Sequence, residues 1–313
     1  MTSKRNLDEQ QLDRAFGSVL GSAAGDALGS QYEFGPTHPD TMVPYFGVGF
    51  FGHAEGEWTD DTSMAMPILE WAAGKGVVPL RSILERWIEW SRDSKDVGAQ
   101  TSAVLTSLKT SSPTLEQDAL DAAARVARKT GRSGGNGSLM RIGPFALSSI
   151  QSDGLDLETL RNIVEWTHYE EDNFIASALW SDAIRSSILT GTFDMRQSLQ
   201  RLGLAENLTW ANRIDVALDK NTHPRDFASN NGWVVAAFQA ALSAVTLSSS
   251  LEEALYIAIR GGGDTDTVAA ITGSLAGAVY GASAVPNDWR AVLHGWPGFS
   301  LAELEELVTE AVS

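Results

Sequence analysis

The stretch Gly261-Gly262-Gly263-Asp264-Thr265-Asp266-Thr267 constrains this chain more than any other. Three glycines permit a tight turn and close approach to another surface. Residues 268–280 follow, small and apolar almost throughout, and read as a buried helix. Asp264 and Asp266 then fall at a helix N-terminus, where the dipole favours the ionised form. A counterpart lies far upstream: Trp58-Thr59-Asp60-Asp61-Thr62, again followed by an apolar run, residues 64–69. If the two helix starts face each other, their carboxylates converge. Anions share one site only if something neutralises them, and hard divalent cations prefer such oxygen clusters. Each start alone has a plainer reading, because Asp and Thr are good N-caps and need no metal. Two such starts in one acidic, cysteine-free chain favour the metal.

The remaining periodicity is helical. Leu12, Phe16, Val19, Leu20 and Ala23 recur at helical spacing within residues 8–27. Leu80, Ile83, Leu84, Trp87 and Ile88 share one face of a second helix within 80–92. Further helices are expected over 61–74, 98–109, 116–129, 156–167, 171–189, 208–219, 231–246, 250–260 and 301–312. No β-branched alternation lasts six residues, and Asn136-Gly137 precedes a helix-like segment rather than joining two strands. Gly and Pro mark 34–56 as a long irregular loop, a length common in lids and binding loops. No repeat, linker or low-complexity tract divides the chain. The expectation is all-α: one multi-helix domain over residues 1–313.

Composition narrows the chemistry. A chain of 313 residues, 43% hydrophobic and 20% charged, has the ordinary balance from which a sizeable core forms. Its formal net charge of −17 argues against general nucleic-acid or anionic-membrane binding, which needs clustered Lys and Arg. With no cysteine, disulfides and thiolate chemistry are excluded. No run of about 18 apolar residues occurs, and the first ten residues contain no apolar h-region. A soluble cytoplasmic protein is expected.

Other residues carry weaker signals. Glu33 follows the Gly-rich end of the first helix, and Asp26 reads as a structural polar residue within that end. Gly134-Gly135-Asn136-Gly137-Ser138 offers free backbone N–H groups, a phosphate cradle in principle, but matches neither a Walker A nor a Rossmann fingerprint. His168, in Trp166-Thr167-His168-Tyr169, reads as a cap or a satisfied core residue. His38, His53, His223 and His294 form no zinc-ligand spacing, and no Gly-x-Ser-x-Gly elbow occurs. Trp233 reads as packing or as a surface on which a base stacks.

Taken together, these pieces resemble the ADP-ribosylglycohydrolase family, which includes the dinitrogenase-reductase-activating glycohydrolases. The matching motifs are Gly25-Asp26-Ala27-Leu28-Gly29 with Glu33-Phe34, Trp58-Thr59-Asp60-Asp61-Thr62, and Gly135-Asn136-Gly137-Ser138-Leu139-Met140-Arg141. Thr167-His168, Gly232-Trp233-Val234-Val235 and Gly262-Gly263-Asp264-Thr265-Asp266-Thr267 complete the set, in order, over roughly residues 13–285. The resemblance implies an all-α, orthogonally packed domain with two divalent ions, Mg²⁺ or Mn²⁺, in a cleft. It places the metal ligands on Glu33, Thr59, Asp60, Asp61, Asp264, Asp266 and Thr267. It puts Gly135, Asn136, Gly137 and Ser138 along the ADP-ribose diphosphate, His168 near the ligand and Trp233 by the adenosine. Asp96-Val97-Gly98 resembles a loop of members that act on ADP-ribosyl-arginine, where Asp96 would pair with a guanidinium; an exposed loop Asp after Lys95 is the other reading.

The activity so implied is hydrolysis of the bond between ADP-ribose and a modified side chain or small molecule, arginine-linked in preference. Glu33, Asp60 or Asp61 would move the proton. A catalytically silent ADP-ribose binder, or a structural member like the jellyfish lens crystallins, is the alternative. Terpene-type Asp-rich helices fit less well, because Asp61 is followed by Thr-Ser-Met-Ala with no third acid.

Overall fold

The computed structural model describes residues 5–74, 76–131 and 133–313. The first four residues of the polar N-terminal stretch, and Arg132 before the glycine-rich run, lie outside them. The helices are α1 (Glu9–Gly29), α2 (Asp60–Ala73), α3 (Ser82–Trp90), α4 (Ala99–Leu105), α5 (Leu115–Thr130), α6 (Leu157–Glu165) and α7 (Glu171–Thr190). They continue with α8 (Met195–Arg201), α9 (Leu208–Leu218), α10 (Val234–Leu247), α11 (Leu251–Arg260), α12 (Thr265–Tyr280), α13 (Asn287–Val292) and α14 (Leu301–Ala311). Among the described residues, extended pairing is limited to isolated bridges, Gly35 with Gly263, Glu57 with His294 and Gly135 with Trp233. The all-α expectation holds.

The centre is the pair α1 and α12. Glycine recurs every fourth residue on one face of α1, at 17, 21, 25 and 29. That spacing keeps one face free of side chains and lets the backbones touch. A Cβ on Gly21 would lie 2.5 Å from the Gly273 carbonyl oxygen, and one on Gly29 would lie 2.6 Å from Asp266 Cα. Gly17 meets Gly277 and Gly25 meets Ala269 in the same way, so the helices run antiparallel. The register matters for function: it sets the C-terminal end of α1 against the N-terminal end of α12. Every residue of α12 from Thr265 to Ala278 is buried, as the small-residue run predicts.

The opening of α1 is fixed locally. Asp8 accepts from Gln11 N and Gln11 returns a bond to Asp8 N, a capping box contributing about 1 kcal/mol. Helix α2 packs on α3, where the Trp87 indole N–H donates to the Met64 carbonyl at 2.9 Å.

Several boundaries differ from the periodicity. Helix α10 starts at Val234 rather than 231, because Trp233 is held extended beside Gly135. The segment after Asn136-Gly137 forms short 3-10 turns, Asn136–Ser138 and Gly143–Ser149, rather than an α-helix. Helix α4 stops at Leu105. Helices α8 and α13 fall where no helix is expected; at two turns or fewer, they are too short to display a period.

Candidate metal centre and ligand cleft

The two Asp-bearing helix starts do face each other, and at neither does the N-cap residue cap its own helix. Thr59 and Asp264, the N-cap residues of α2 and α12, make no side-chain capping bond. The donors at the start of α2 are satisfied from α1. Asp26, fully buried, accepts from Thr59 N (2.9 Å), Thr59 Oγ1 (2.7 Å), Thr62 N (2.9 Å) and Thr62 Oγ1 (2.6 Å). The structural reading of Asp26 holds, and its task is to clamp α2 against α1.

The start of α12 is held by amides. Asn231 donates to the Gly262 carbonyl and accepts from Asp264 N, at 2.9 and 3.0 Å. Asn136 Nδ2 donates to Asp264 Oδ2 at 2.7 Å and to the Asn231 carbonyl at 2.9 Å. Thr265 Oγ1 donates to the Gly29 carbonyl at 2.9 Å, tying α12 to the end of α1. Gly262 and Gly263 take φ of 77° and 76°, the left-handed backbone this turn requires.

Glu33 is delivered by a pairing of loops. Phe34 N donates to the Gly263 carbonyl (2.7 Å) and Gly263 N to the Gly35 carbonyl (3.0 Å). Glu33, Asp264 and Asp266 thereby each place a carboxylate oxygen within 4.8 Å of the others. Asp61 lies behind them. Its Oδ2 is near the hydroxyls of Thr59 and Thr267, at 3.2 and 3.4 Å, and its buried Oδ1 has no hydrogen-bond partner. Asp60 lines the cleft itself, with Glu33, Asp96, Asp264, Asp266 and Thr267.

Burial first, and then their mutual repulsion, raises several of these carboxyls. Burial, with Asp264 and Asp96 nearby, raises the Glu33 carboxyl to about 8. Burial and neighbouring acids push Asp60, Asp61 and Asp266 well above the usual carboxylate range. The buried guanidinium of Arg141 is the cation beneath the cleft, and burial lowers it to about 9. It hydrogen-bonds no carboxylate; it lies over the Trp87 ring, 4.1 Å from its centroid, and donates to Thr167 Oγ1 and the Ile163 carbonyl. The oxygen-only donor set, the mutual repulsion and the unpartnered Asp61 oxygen all fit hard divalent cations.

The remaining residues sort along the cleft, whose volume is about 510 Å³. Gly135, Asn136 and Gly137 form one wall. The Asn136 amide is engaged with Asp264 and Asn231, and buried Ser138 accepts from Asn173, so the backbone is the part of this run that faces the cleft. His168 opposes that run: a Cβ on Gly137 would lie 2.9 Å from its ring, and one on Gly135 would touch it at 3.4 Å. A guanidinium only donates, so Thr167 Oγ1 accepts from Arg141 and turns its own proton to His168 Nδ1, 2.8 Å away. That leaves the proton of neutral His168 on Nε2. Burial and Arg141 keep its pKa well below the ordinary value, so it stays a neutral donor.

Trp233 does not line this cleft. It lines a neighbouring one of about 570 Å³ with Glu170 and Gly232. Gly135 and Gln100 border both cavities, so the two adjoin. Asp96 is half-buried at the acidic end rather than free in a loop, and burial raises its carboxyl to about 6. Lys95 also lines the cleft, and its ammonium is paired with Glu57 at 2.6 Å. Gly98 stands at the rim, its backbone hydrogen-bonded to Asp60. Sequence reading misses Asn231, Gln100 and Phe51, for none stands in a pattern of chemistry-bearing residues, and it takes Phe34 only as the motif neighbour of Glu33.

Known proteins fall in with this geometry. A curated relative, "ADP-ribosylarginine hydrolase Tri1" of Pseudomonas putida (strain GB-1), is 30% identical over 90% of this chain and 74% of its own length. The "ADP-ribosyl-[dinitrogen reductase] glycohydrolase" of Rhodospirillum rubrum is 28% identical over 90% of each chain. Among solved structures, one titled "ADP-ribosylglycohydrolase-related protein complex" superposes with a TM-score of 0.72 at 25% identity, covering 97% of this chain and 99% of that one. Among the described residues, no helix is long and apolar enough to cross a membrane. The ADP-ribosylglycohydrolase model matches residues 7–313, and the chain belongs to that family.

Proposed function

We propose that this protein hydrolyses the glycosidic bond between ADP-ribose and a modified side chain, with arginine as the preferred linkage. The observation that carries the reading is the adjoining pair of cavities. One is walled by the carboxylates and Asp96, the other by Trp233, and the Gly135 backbone separates them. An extended molecule with a ribose at one end and an adenine at the other suits that plan. The relatives named for arginine-linked substrates support the arginine preference.

In this reading Glu33, Thr59, Asp60, Asp61, Asp264, Asp266 and Thr267 hold two divalent ions, Mg²⁺ or Mn²⁺. Such ions, when bound, supply Lewis-acid polarisation of ribose hydroxyls and of a water. The chain's own residues do the rest. The Gly135–Gly137 backbone lies along the diphosphate, and the His168 Nε2–H donates to the same ligand. Trp233 offers its ring to the adenine. Asp96 accepts from the departing guanidinium, a charge-assisted contact that a neutral serine oxygen does not gain. Glu33, Asp60 or Asp61 takes the proton from the attacking water as the ribose passes through an oxocarbenium-like state. The proposal treats the chain as one domain, because its buried apolar side chains form one cluster.

The test is release of free ADP-ribose from ADP-ribosyl-arginine and ADP-ribosyl-serine substrates, with Mn²⁺, with Mg²⁺ and after chelation. Turnover that survives chelation would sink the metal assignment. Tight ADP-ribose binding without release under either metal would make the protein a binder.

A further inference from the structure

Phe34 stands where folding alone would place a glycine. The chain turns over Tyr32–Gly35: Glu33 has φ −55° and ψ 137°, Phe34 has φ 58°, and Gly35 N donates to the Tyr32 carbonyl at 3.0 Å. This is a type II turn, whose third residue needs a positive φ and normally takes glycine or asparagine. Among the described residues Phe34 is the one non-glycine residue with a positive φ. The bonds to Gly263 hold the turn from both sides. Strain kept in place this firmly is a mark of functional sites.

Burial does not offset the strain, because Phe34 is 61% exposed. Phe50 and Phe51 stand beside it, 61% and 41% exposed. Their rings meet edge to face, with centroids 5.2 Å (Phe34–Phe50), 6.2 Å (Phe34–Phe51) and 5.1 Å (Phe50–Phe51) apart. The cluster is at the acidic end of the cleft: Phe34 and Phe51 line it with Asp60 and Asp96. Lys95 fastens the two rim loops, reaching Glu57 and, at 3.4 Å, the Gly52 carbonyl. The nearest lysine is thus already paired, and the rim presents aromatic rings beside a carboxylate outside the proposed metal set.

A guanidinium is planar: it donates hydrogen bonds in its plane and stacks on aromatic rings through its face. Resting on the arginine reading above, we propose that Phe34, Phe50 and Phe51 form an aromatic rim that stacks on the guanidinium of the arginine being released, while Asp96 accepts from its in-plane N–H groups. A serine aglycone offers neither feature, so the rim sets linkage preference rather than general affinity for ADP-ribose.

The experiment compares wild type, Phe51→Ala, Phe51→Leu and Phe34→Gly on free ADP-ribosyl-arginine, on a protein ADP-ribosylated at arginine and on a serine-linked ADP-ribosyl peptide, each with Mn²⁺. The arginine-to-serine ratio of kcat/KM should fall roughly tenfold in Phe51→Ala and Phe34→Gly, mainly through KM for arginine. Phe51→Leu keeps apolar area without the ring and should recover little of the ratio. Phe34→Gly should also raise Tm, since glycine relieves the turn. An unchanged ratio in all three variants overturns the proposal, as does full recovery by Phe51→Leu. So does a loss confined to an ADP-ribosylated protein with free ADP-ribosyl-arginine unaffected, which would make the rim a protein-docking surface. Failure of the arginine reading itself shows separately, as a wild type that leaves both arginine substrates intact.

Discussion

Helices α2 and α12 open with nearly the same residues, Thr59-Asp60-Asp61-Thr62 and Asp264-Thr265-Asp266-Thr267, yet they are secured differently. The first hangs on one buried carboxylate, Asp26, which takes four donors from a single turn. The second is held by neutral amides, Asn231 and Asn136, and by its own Thr265 hydroxyl, which donates to the Gly29 carbonyl at the end of α1. At the first, the capping acceptor comes from another helix; at the second, Asp266 Oδ1 takes only Thr267 N, at 2.9 Å. Asp61 Oδ1, at the start of α2, is buried with no hydrogen-bond partner. The difference teaches how to tell a capping carboxylate from a ligand: Asp26 has a full complement of donors, and the acids facing the cleft repel one another instead.

The largest test removes one acid from each start. Asp60→Ala with Asp266→Ala should lower turnover roughly a thousandfold or more, since polarisation by a bound metal contributes several kcal/mol. Wild-type hydrolysis by that variant in chelated buffer would sink the mechanism.

The anchors come next. Asp26→Asn should cost about 3 kcal/mol in urea unfolding, because it replaces an acceptor by a donor facing the Thr59 and Thr62 donors. It should also weaken Mn²⁺ binding roughly 10- to 100-fold, measured by calorimetry, as a supporting residue does. Asn231→Ala removes only neutral bonds and should cost about 1–2 kcal/mol. An equal or larger loss at Asn231 would reverse the ranking of the two anchors.

The carboxylate cluster should also make stability depend on pH. Glu33 is raised from 4.5 to about 8. Below the ordinary value both folded and unfolded chains carry the proton, and the group contributes nothing. As pH rises from there to about 8, the unfolded chain sheds a proton that the folded chain keeps, so metal-free stability falls. Metal displaces those protons and binds more tightly as pH rises. In chelator, Tm should be lower at pH 8 than at pH 5.5, and Mn²⁺ should raise it more at pH 8. A metal-free Tm that climbs over this range would show that other groups dominate.

The smallest effect is at the rim. Asp96→Asn should cut activity on the arginine linkage roughly fivefold relative to serine, the scale of a partly screened charge contact. Equal losses on both linkages would assign Asp96 a general role, and no loss would remove it from the site.

Much of this was legible without coordinates. Absent strand alternation and repeated 3.6-residue periodicity are local properties, and they gave the all-α class and most helices. The Asp-Thr starts announced the acidic centre, and Gly17, Gly21, Gly25 and Gly29 announce the α1–α12 contact to a reader who counts by fours. Residues 34–56 form the irregular loop that their glycines and prolines indicate, and Phe50 and Phe51 within it reach the rim.

What the sequence by itself determined, then, is which segments are helical and which carboxylates stand at helix starts, because both follow from neighbours a few positions away. Whether those acids are caps or ligands was decided only in three dimensions. Thr59 and Thr62 find Asp26 in another helix, and Asp264 finds Asn136 across 128 positions of chain. The half-burial of Asp96, the proton position on His168 and the glycine-like turn at Phe34 likewise depend on partners distant in sequence. Hydrogen bonding and desolvation act through space, so a residue's chemistry is set by what the fold brings beside it, and no local pattern of residue types records that.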